Sequence, residues 1–310
     1  MKEIVAGVDG GGSKTRLIIA TDTGEELANV EGPRSAMRPG EAEKSGQVIA
    51  DMMREALAQA SILDVPTILY AGFAGVGREE ERRDLETELN RLGVAEEVIV
   101  DSDAAIALAD AFNEGPGIIL LSGTGSIAYG RGIDGTLVRT GGWGPAFGDE
   151  GSGFWIGKRA LGIVAAASDG REPSNALTGA ILTAAQVNNP EDLIPWAIAA
   201  SNTTIASLAS VVMTTAAAGD ARANALVSLA AEELIVHVRA LAKPLFGDER
   251  AAIPIALSGG LLQKGSLLRK KVEQRLRSAI PGAQVTPSEI NPARGAVRSA
   301  IRRIRLPSAP

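Results

Sequence analysis

The 310-residue sequence contains no cysteine and one histidine, and only 3% of its residues are aromatic. Without thiols the chain can form no disulfide, zinc–thiolate site or iron–sulfur cluster from its own residues. The histidine, His237, lies in a predicted long helix far from the motifs described below. Composition alone therefore argues against thiol-based redox chemistry and against histidine acid–base catalysis.

Long apolar runs and an excess of positive charge are also missing. No run reaches the length of a membrane span. The net charge of −6 argues against a nucleic acid or a membrane surface as a partner. The basic stretch around Arg294, Arg298 and Arg302 has the spacing of a solvated helix face. No signal-peptide pattern follows Met1, so we expect a cytoplasmic protein.

The chain is long enough for two hydrophobic cores, and its pattern of elements occurs twice. Three short apolar segments joined by tight turns predict an antiparallel meander, and helices alternating with strands follow it. A second meander begins near Gly117. We therefore predict an α/β protein of two related domains, residues 1–110 and 111–310, with ligands in a cleft between them. The closing helix over 293–305 is expected to pack back on the first domain.

The apolar pattern locates the individual elements. The predicted strands are Ile4–Val8, Arg16–Ala20, Leu27–Val30, Thr67–Phe73, Val98–Val100, Gly117–Leu121, Ser126–Arg131, Thr136–Arg139, Ile253–Leu257 and Val285–Thr286. The predicted helices include Ala42–Ala60, Glu79–Leu92, Ala104–Ala111, Ala221–Ala242, Leu267–Ala279 and Ala293–Ile304.

A glycine-rich segment lies between the first two predicted strands. It reads Asp9, Gly10, Gly11, Gly12, Ser13, Lys14, Thr15. A Walker A loop and a Rossmann fingerprint both lead into a helix, whereas this segment leads into a strand. The segment is therefore predicted to be a hairpin whose backbone N–H groups can approach a polyphosphate. Asp9 is placed to hold Mg²⁺ through water; a hairpin without a ligand is the alternative.

Two further glycine-rich segments belong to the second half. Ser122–Ser126 lies between two strands at the position equivalent to the first hairpin. Two such hairpins in equivalent places favour a phosphate-binding role more than either does alone. Gly259 and Gly260 follow a strand and could approach a nucleoside, although such a strand–helix junction is common in proteins without one.

Carboxylates mark two other places. Asp101 and Ser102 are predicted to cap a helix, whereas Asp103, at the end of a strand, could accept the proton of an attacking hydroxyl during phosphoryl transfer. The segment Gly141–Gly153 surrounds Trp143 with glycines and carries Asp149 and Glu150. Carboxylates beside an aromatic ring suit carbohydrate recognition. A structural role for these residues, in a core or at a helix start, is the alternative.

These motifs together resemble the eukaryotic-type N-acetylglucosamine kinases of the BadF/BadG/BcrA/BcrD ATPase group, within the actin/hexokinase/Hsp70 superfamily. The resemblance implies two ribonuclease-H-like (actin-like ATPase) domains flanking a nucleotide/sugar cleft, use of ATP and Mg²⁺, and a homodimer. It implies Asp103 as catalytic base, and it assigns phosphate and adenosine contacts to Asp9, Gly10, Gly11, Gly12, Ser13, Lys14, Thr15, Thr124, Gly125, Ser126, Gly259 and Gly260. The sugar would contact Ser35, Asp103, Thr124, Gly142, Trp143, Asp149 and Glu150.

One departure from the family concerns sugar identity. The family carries a sugar-binding asparagine in the loop after the third strand, where this chain has Ser35, Ala36 and Met37. Arg34 or Arg38 could instead meet an anionic substituent, as in a muramic acid. The expected acceptor is the 6-hydroxyl of N-acetylglucosamine or a relative such as glucosamine or N-acetylmuramic acid.

Two other functions are compatible with such a fold. ATPase activators of electron transfer hold a cluster with cysteines, which this chain lacks. An ATP-binding sensor that turns over no sugar would have the same loops, so only the carboxylates Asp103, Asp149 and Glu150 favour a kinase over it.

Overall fold

The computed structural model describes residues 3–12, 14–76, 79–248, 250–286 and 290–305. The described chain forms two compact units. Residues 3–115 together with 290–305 form the first unit, and residues 116–286 form the second. Both units are mixtures of helices and one five-stranded sheet, which confirms the α/β class predicted from the sequence.

The first unit begins with the predicted meander. Its strands are β1 (Ile4–Gly10), β2 (Lys14–Thr21), β3 (Glu26–Pro33), β4 (Ile68–Phe73) and β5 (Glu97–Ser102). Its helices are α1 (Ala42–Ala60), α2 (Glu79–Arg91), α3 (Asp103–Phe112) and, from the end of the chain, α10 (Pro292–Arg305).

The first sheet has the strand order β3-β2-β1-β4-β5. β1 pairs antiparallel with β2, whereas β4 is parallel to both β1 and β5. The carboxyl ends of β1, β4 and β5 therefore meet at one edge of the sheet, the edge at which open α/β sheets bind ligands. Asp9 lies at the end of β1, and Asp103 follows β5 directly.

Helix α10 packs against α3 and β1, with Val297 and Ala300 buried beside Val5 and Ile18. The sequence predicted a solvated face for the arginines of this helix. Four of them instead form ion pairs within the same unit. The pairs are Arg294 with Glu26, Arg298 with Asp110, Arg302 with Glu114 and Arg303 with Glu97. The basic stretch noted in the sequence thus fastens the last described helix to the first sheet and to the α3 region.

The second unit repeats the same topology. Its strands are β6 (Gly117–Ser122), β7 (Ser126–Arg131), β8 (Leu137–Gly141), β9 (Ile253–Ser258) and β10 (Ala283–Val285), in the order β10-β9-β6-β7-β8. Its helices are α4 (Gly153–Ser168), α5 (Ala176–Ala185), α6 (Leu193–Ala199), α7 (Asn202–Ala217), α8 (Ala221–Phe246) and α9 (Leu267–Ala279). The paired meanders confirm that the two halves are related folds.

The core of the second unit surrounds α8. The stripe predicted on this helix is buried as expected, at Leu226, Ala230, Leu234, Val238 and Leu241. Each large buried aliphatic side chain contributes on the order of 2 kcal/mol by leaving water, so this stripe is the main attachment of the helix. No helix in the described part of the chain is both long and apolar enough to cross a membrane.

Candidate active site

The hairpin between β1 and β2 is narrow and closed by backbone hydrogen bonds. The Gly11 N–H donates to the Lys14 carbonyl at 3.1 Å, and Gly12 is exposed at the tip. Ser13, which the sequence assigned to phosphate binding, lies outside the described residues. The ammonium of Lys14 pairs with Glu31 at 3.0 Å. The exposed tip leaves backbone groups near Gly12 accessible to a ligand.

Thr15 and Ser35 are turned away from solvent. Their hydroxyl oxygens lie 2.7 Å apart, and the Thr15 hydroxyl donates to the Pro33 carbonyl at 2.6 Å. Ser35 therefore donates to Thr15, and both side chains are buried. The pair fixes the loop after β3 against the glycine hairpin. The neighbouring Arg34 and Arg38 are exposed and have no ion pair within the described part of the chain.

Strand β5 ends with Asp101 and Ser102, and Asp103 begins α3. Asp101 accepts a hydrogen bond from the Tyr70 hydroxyl at 2.9 Å, and Ser102 caps α3 by accepting from the Ala105 N–H at 3.2 Å. Asp103 accepts from the Ala104 N–H at 2.8 Å. Among the described residues it has no ion pair, so its carboxylate is free to accept a proton.

Asp9 and Asp103 influence each other at this edge of the sheet. Burial raises the pKa of the Asp103 carboxyl to about 6. Burial also raises the pKa of Asp9 to about 6, and the charge of Asp103 adds to this effect while Arg16 and Lys14 oppose it. Two carboxyls with pKa values close to neutrality are typical of a site that handles protons or a cation.

The hairpin Ser122–Ser126 of the second unit is joined to the loop that follows β8. The Ser122 hydroxyl donates to the Gly151 carbonyl at 3.0 Å, and the Ser126 hydroxyl donates to the Glu150 carbonyl at 2.7 Å. The Gly153 N–H donates to the Gly123 carbonyl at 2.8 Å. Ser126 is buried, whereas Thr124 is exposed at the hairpin tip. Only the tip of this hairpin is therefore open to a ligand.

Gly259 and Gly260 follow β9 at the same edge of the second sheet. Gly259 has a φ of 96°, and a Cβ there would lie 2.4 Å from the Ser122 carbonyl oxygen. Only glycine fits this position, because any side chain would collide with the end of β6. Gly260 is exposed. The second unit thus brings together the Ser122–Ser126 hairpin, the two glycines after β9 and the start of α4.

Asp149 is held in an unusual conformation. Its φ is 60°, which is rare for a residue other than glycine, and its side chain is buried. The Ser126 N–H donates to the Asp149 carboxylate at 3.4 Å. Burial raises the pKa of this carboxyl, and the hydrogen bond from Ser126 opposes the effect. A strained, buried carboxylate is a feature that proteins maintain mainly at functional sites.

Trp143 and Phe147 form an exposed aromatic pair on the loop after β8. The ring centroids lie 6.5 Å apart, and the Arg139 guanidinium lies 5.3 Å from the centroid of Trp143. Trp143 is 64% exposed and Phe147 76% exposed. Gly142 beside them is also exposed. Adjacent exposed apolar side chains often mark binding surfaces, which favours a ligand-binding role for this loop.

The expectation that His237 lies far from the motifs was wrong. Its Nε2 is 3.7 Å from a carboxylate oxygen of Glu150, and its ring lies against Gly141. Sequence reasoning missed this because α8 is distant from the loop along the chain and only packing brings them together. The sole available signal was the single imidazole in a helix otherwise striped with aliphatic residues.

The residues present fit a nucleotide with Mg²⁺. In each unit taken by itself, the backbone N–H groups of the glycine hairpin suit phosphate oxygens. Burial and, to a smaller extent, the charge of Asp103 raise the pKa of Asp9, and a bound cation would favour its ionised form. No group of three or more metal-ligating side chains occurs among the described residues. Asp9 could supply one of the carboxylates through which Mg²⁺ is usually held, together with water and the substrate phosphates.

Comparisons with known proteins agree with this chemistry. The model of the BadF/BadG/BcrA/BcrD ATPase family matches residues 6–300. An N-acetylmuramic acid/N-acetylglucosamine kinase from Clostridium acetobutylicum is 33% identical, over 94% of this chain and 96% of its own. An N-acetyl-D-glucosamine kinase from Dictyostelium discoideum is 28% identical, over 97% and 98%.

A solved structure supports the same relationship. It is that of a Chromobacterium violaceum protein assigned as an N-acetylglucosamine kinase, which is 30% identical and has a TM-score of 0.82. The match covers 97% of this chain and 99% of that one. The similarity therefore extends over both units and is not confined to a single motif.

Proposed function

The chain belongs to the BadF/BadG/BcrA/BcrD ATPase family, and on that basis we propose that it is an ATP-dependent kinase of an amino sugar. The observation that carries the proposal is Asp103, which is half-buried, has no ion pair among the described residues and lies near Asp9 at the carboxyl edge of the first sheet. The names of the two curated relatives, both sugar kinases that match almost the whole chain, support it.

In the proposed reaction, Asp103 acts as the general base. A sugar hydroxyl oxygen attacks the γ-phosphorus of ATP as the bond to the β,γ-bridging oxygen breaks, so that ADP leaves. The hydroxyl proton passes to the Asp103 carboxylate. Phosphoryl transfer depends on positioning and charge neutralisation more than on covalent catalysis. A single general base is therefore sufficient for the proton transfer. With a pKa of about 6, Asp103 is largely ionised at neutral pH and can accept this proton.

The glycine hairpins would hold the nucleotide. We assign phosphate contacts to the backbone of Gly10, Gly11 and Gly12 and to Thr124 and Gly125. Gly260, exposed after β9, is assigned to the adenosine. The buried hydroxyls of Thr15 and Ser126 act by fixing the hairpins, because each is engaged in internal hydrogen bonds. When bound near Asp9, Mg²⁺ would neutralise phosphate charge.

The loop after β8 would bind the sugar. Asp149 and Glu150 supply carboxylate acceptors for sugar hydroxyls, and the exposed ring of Trp143 can cover one face of a pyranose. Arg34 and Arg38 are exposed cations in the loop after β3, where the family asparagine is absent. We therefore assign N-acetylglucosamine and its lactyl ether N-acetylmuramic acid as the acceptors, phosphorylated at a hydroxyl.

A panel of sugars tests this function directly. ADP release is measured with Mg²⁺ and ATP against N-acetylglucosamine, N-acetylmuramic acid, glucosamine, N-acetylmannosamine, glucose and no sugar. We expect turnover that depends on one or both N-acetylated glucosamine derivatives and slow background hydrolysis with no sugar. Equal, slow hydrolysis across the whole panel would overturn the kinase and favour an ATP-binding sensor.

A further inference from the structure

His237 occupies a buried site next to the loop after β8. Its side chain is 12% exposed. Its Nε2 is fully buried and has no hydrogen-bond partner among the described residues. A buried polar atom without a partner costs about 1–3 kcal/mol, so native proteins retain few of them without a function. We therefore expect the imidazole to have a function that offsets this cost.

A carboxylate of the proposed sugar site lies close to that nitrogen. Glu150 Oε2 lies 3.7 Å from His237 Nε2, which exceeds the normal length of a hydrogen bond. A movement of the Glu150 side chain by less than about 1 Å would bring the two atoms to bonding distance. The imidazole is therefore placed to form one hydrogen bond to Glu150 when that carboxylate takes its working position.

The position of the imidazole is fixed by its surroundings. The Thr140 hydroxyl donates to the His237 backbone carbonyl at 3.0 Å, which ties the end of β8 to α8. A Cβ on Gly141 would lie 3.0 Å from His237 Cε1, and Gly141 has a φ of 73°. The ring thus fills space that only a glycine leaves open. The bond to the backbone of His237 and the close approach of Gly141 therefore hold the imidazole beside the end of β8.

The charges around the ring are mainly acidic. Glu150 and Asp149 face it from the loop, and Glu233 faces it from its own helix. Arg139 on β8 lies nearby, with its guanidinium 3.4 Å from the Gly141 carbonyl oxygen. Burial lowers the pKa of His237, and the three carboxylates oppose this effect. At neutral pH the imidazole is therefore uncharged, and it can donate one hydrogen bond without neutralising its partner.

We propose that His237 is a positioning residue that binds one oxygen of Glu150 and so directs the other oxygen towards a sugar hydroxyl. The inference rests on the proposed function, because it assigns Glu150 to sugar binding. Glu150 alone has several rotamers, and restricting them before the sugar arrives lowers the entropic cost of binding. His237 would thus act on sugar affinity and not on the chemical step.

Side-chain replacements at His237 separate this role from simple packing. The amide nitrogen of His237→Gln falls near the position of Nε2, whereas that of His237→Asn falls near Nδ1. We expect His237→Phe and His237→Asn to raise the sugar KM about tenfold, with kcat and the KM for ATP changed less than about twofold. His237→Gln should keep the KM within about threefold of the native value. Equal effects of the Asn and Gln variants would overturn the proposal.

Combination with Glu150→Gln tests whether His237 acts through Glu150. In that background His237→Phe should change the sugar KM by less than about twofold, because the group that it positions has already been altered. If His237→Phe raises the KM by the same factor in both backgrounds, the imidazole acts elsewhere and the proposal is wrong. Thermal midpoints of all variants identify any that fail to fold. If His237→Phe fails to fold, the comparison of His237→Asn with His237→Gln tests the positioning role.

The single histidine allows a test that needs no turnover. In untagged protein the imidazole nuclear magnetic resonance signals come from His237 alone. We expect Glu150→Gln to lower its pKa, since a carboxylate that raises it is removed. Saturating N-acetylglucosamine should also shift these signals in the native protein. Glu232→Gln is the control, because Glu232 is on the same helix but pairs with Arg275; it should leave the signals unchanged.

Sugar-dependent ADP release tests the proposed function, and the imidazole signals test the role of His237, so either result can fail without the other. A native protein that releases no sugar-dependent ADP would overturn the proposed function. Sugar-induced imidazole shifts that are lost in Glu150→Gln would still support His237 as the positioning residue of a sugar-binding site. Imidazole signals that respond neither to Glu150→Gln nor to sugar would overturn the inference even in an active kinase.

Discussion

The Ser126 hydroxyl donates a 2.7 Å hydrogen bond to the backbone carbonyl of Glu150. This bond connects the glycine hairpin between β6 and β7 to the loop that carries Asp149, Glu150 and Trp143. The Ser126 N–H also contacts the Asp149 carboxylate, at 3.4 Å. A single residue at the start of β7 thus fixes both the proposed phosphate hairpin and the proposed sugar loop.

Ser126→Ala should therefore weaken stability and sugar binding together. Loss of one buried hydrogen bond is expected to lower the free energy of unfolding by about 1 kcal/mol and to raise the sugar KM several-fold, because Glu150 loses its anchor. Urea unfolding and initial rates measure the two effects. Ser210→Ala, which removes an exposed hydroxyl bonded within α7, is the matched control and should change neither. An unchanged sugar KM in Ser126→Ala would contradict the assigned role.

The pKa values at the first sheet predict the pH dependence of turnover. Asp103 must be ionised to accept a proton, and its pKa is about 6. The sugar kcat/KM should therefore rise as pH increases and level off above about 6. Asp9, whose pKa is also about 6, must be ionised to favour a cation. Below about pH 6, kcat/KM should therefore fall more steeply than it would if a single carboxyl had to ionise. Rates between about pH 5 and 8 test this; a profile flat across that range would contradict it.

The raised pKa of Asp103 also predicts that its ionised carboxylate destabilises the folded protein. A carboxyl whose pKa is about 6 in the folded state and 3.8 when unfolded binds its proton more tightly when folded. Its stabilising contribution is complete below 3.8 and is lost as pH rises through about 6. Asp103→Asn should thus raise the free energy of unfolding by about 1–2 kcal/mol at pH 8 and by little at pH 4. Denaturant unfolding at both pH values measures the difference; a destabilised variant at pH 8 would contradict it.

The sugar specificity should depend on the exposed cations after β3. Arg34→Ala combined with Arg38→Ala is expected to raise the KM for N-acetylmuramic acid about tenfold, because an ionic hydrogen bond to the lactyl carboxylate is lost. The KM for N-acetylglucosamine, which lacks that carboxylate, should stay within about twofold. Arg54→Ala, an exposed arginine paired with Asp51 on α1, is the control. Equal changes for both sugars would contradict selection by these arginines.

Much of the fold could be predicted from the sequence because its signals are local. The short apolar runs of β1 and β2, the glycines between them and the stripe on α8 each specify an element without distant information. The repeat of the meander also predicted the second sheet. Most of the elements predicted along the chain are present, with boundaries that differ by a few residues.

The sequence could not show which polar groups are already engaged. Thr15 and Ser126 carry hydroxyls that looked available, but both donate to carbonyls from other segments. The contact between His237 and Glu150 depends on how α8 packs against the loop after β8, and no local pattern specifies it. Hydrogen bonding and burial of this kind arise from tertiary packing, which a single sequence reports only indirectly.

The most direct test of the account is sugar-dependent ADP release by Asp103→Asn, compared with the native enzyme and with Asp101→Asn. Asp101 is the neighbouring carboxylate, bonded to Tyr70, and has no assigned role in catalysis. We expect Asp103→Asn to lower kcat by at least about a hundredfold while ATP still binds, and Asp101→Asn to keep kcat within about threefold of the native value. Native kcat in Asp103→Asn would show that Asp103 is not the base and would contradict the central claim.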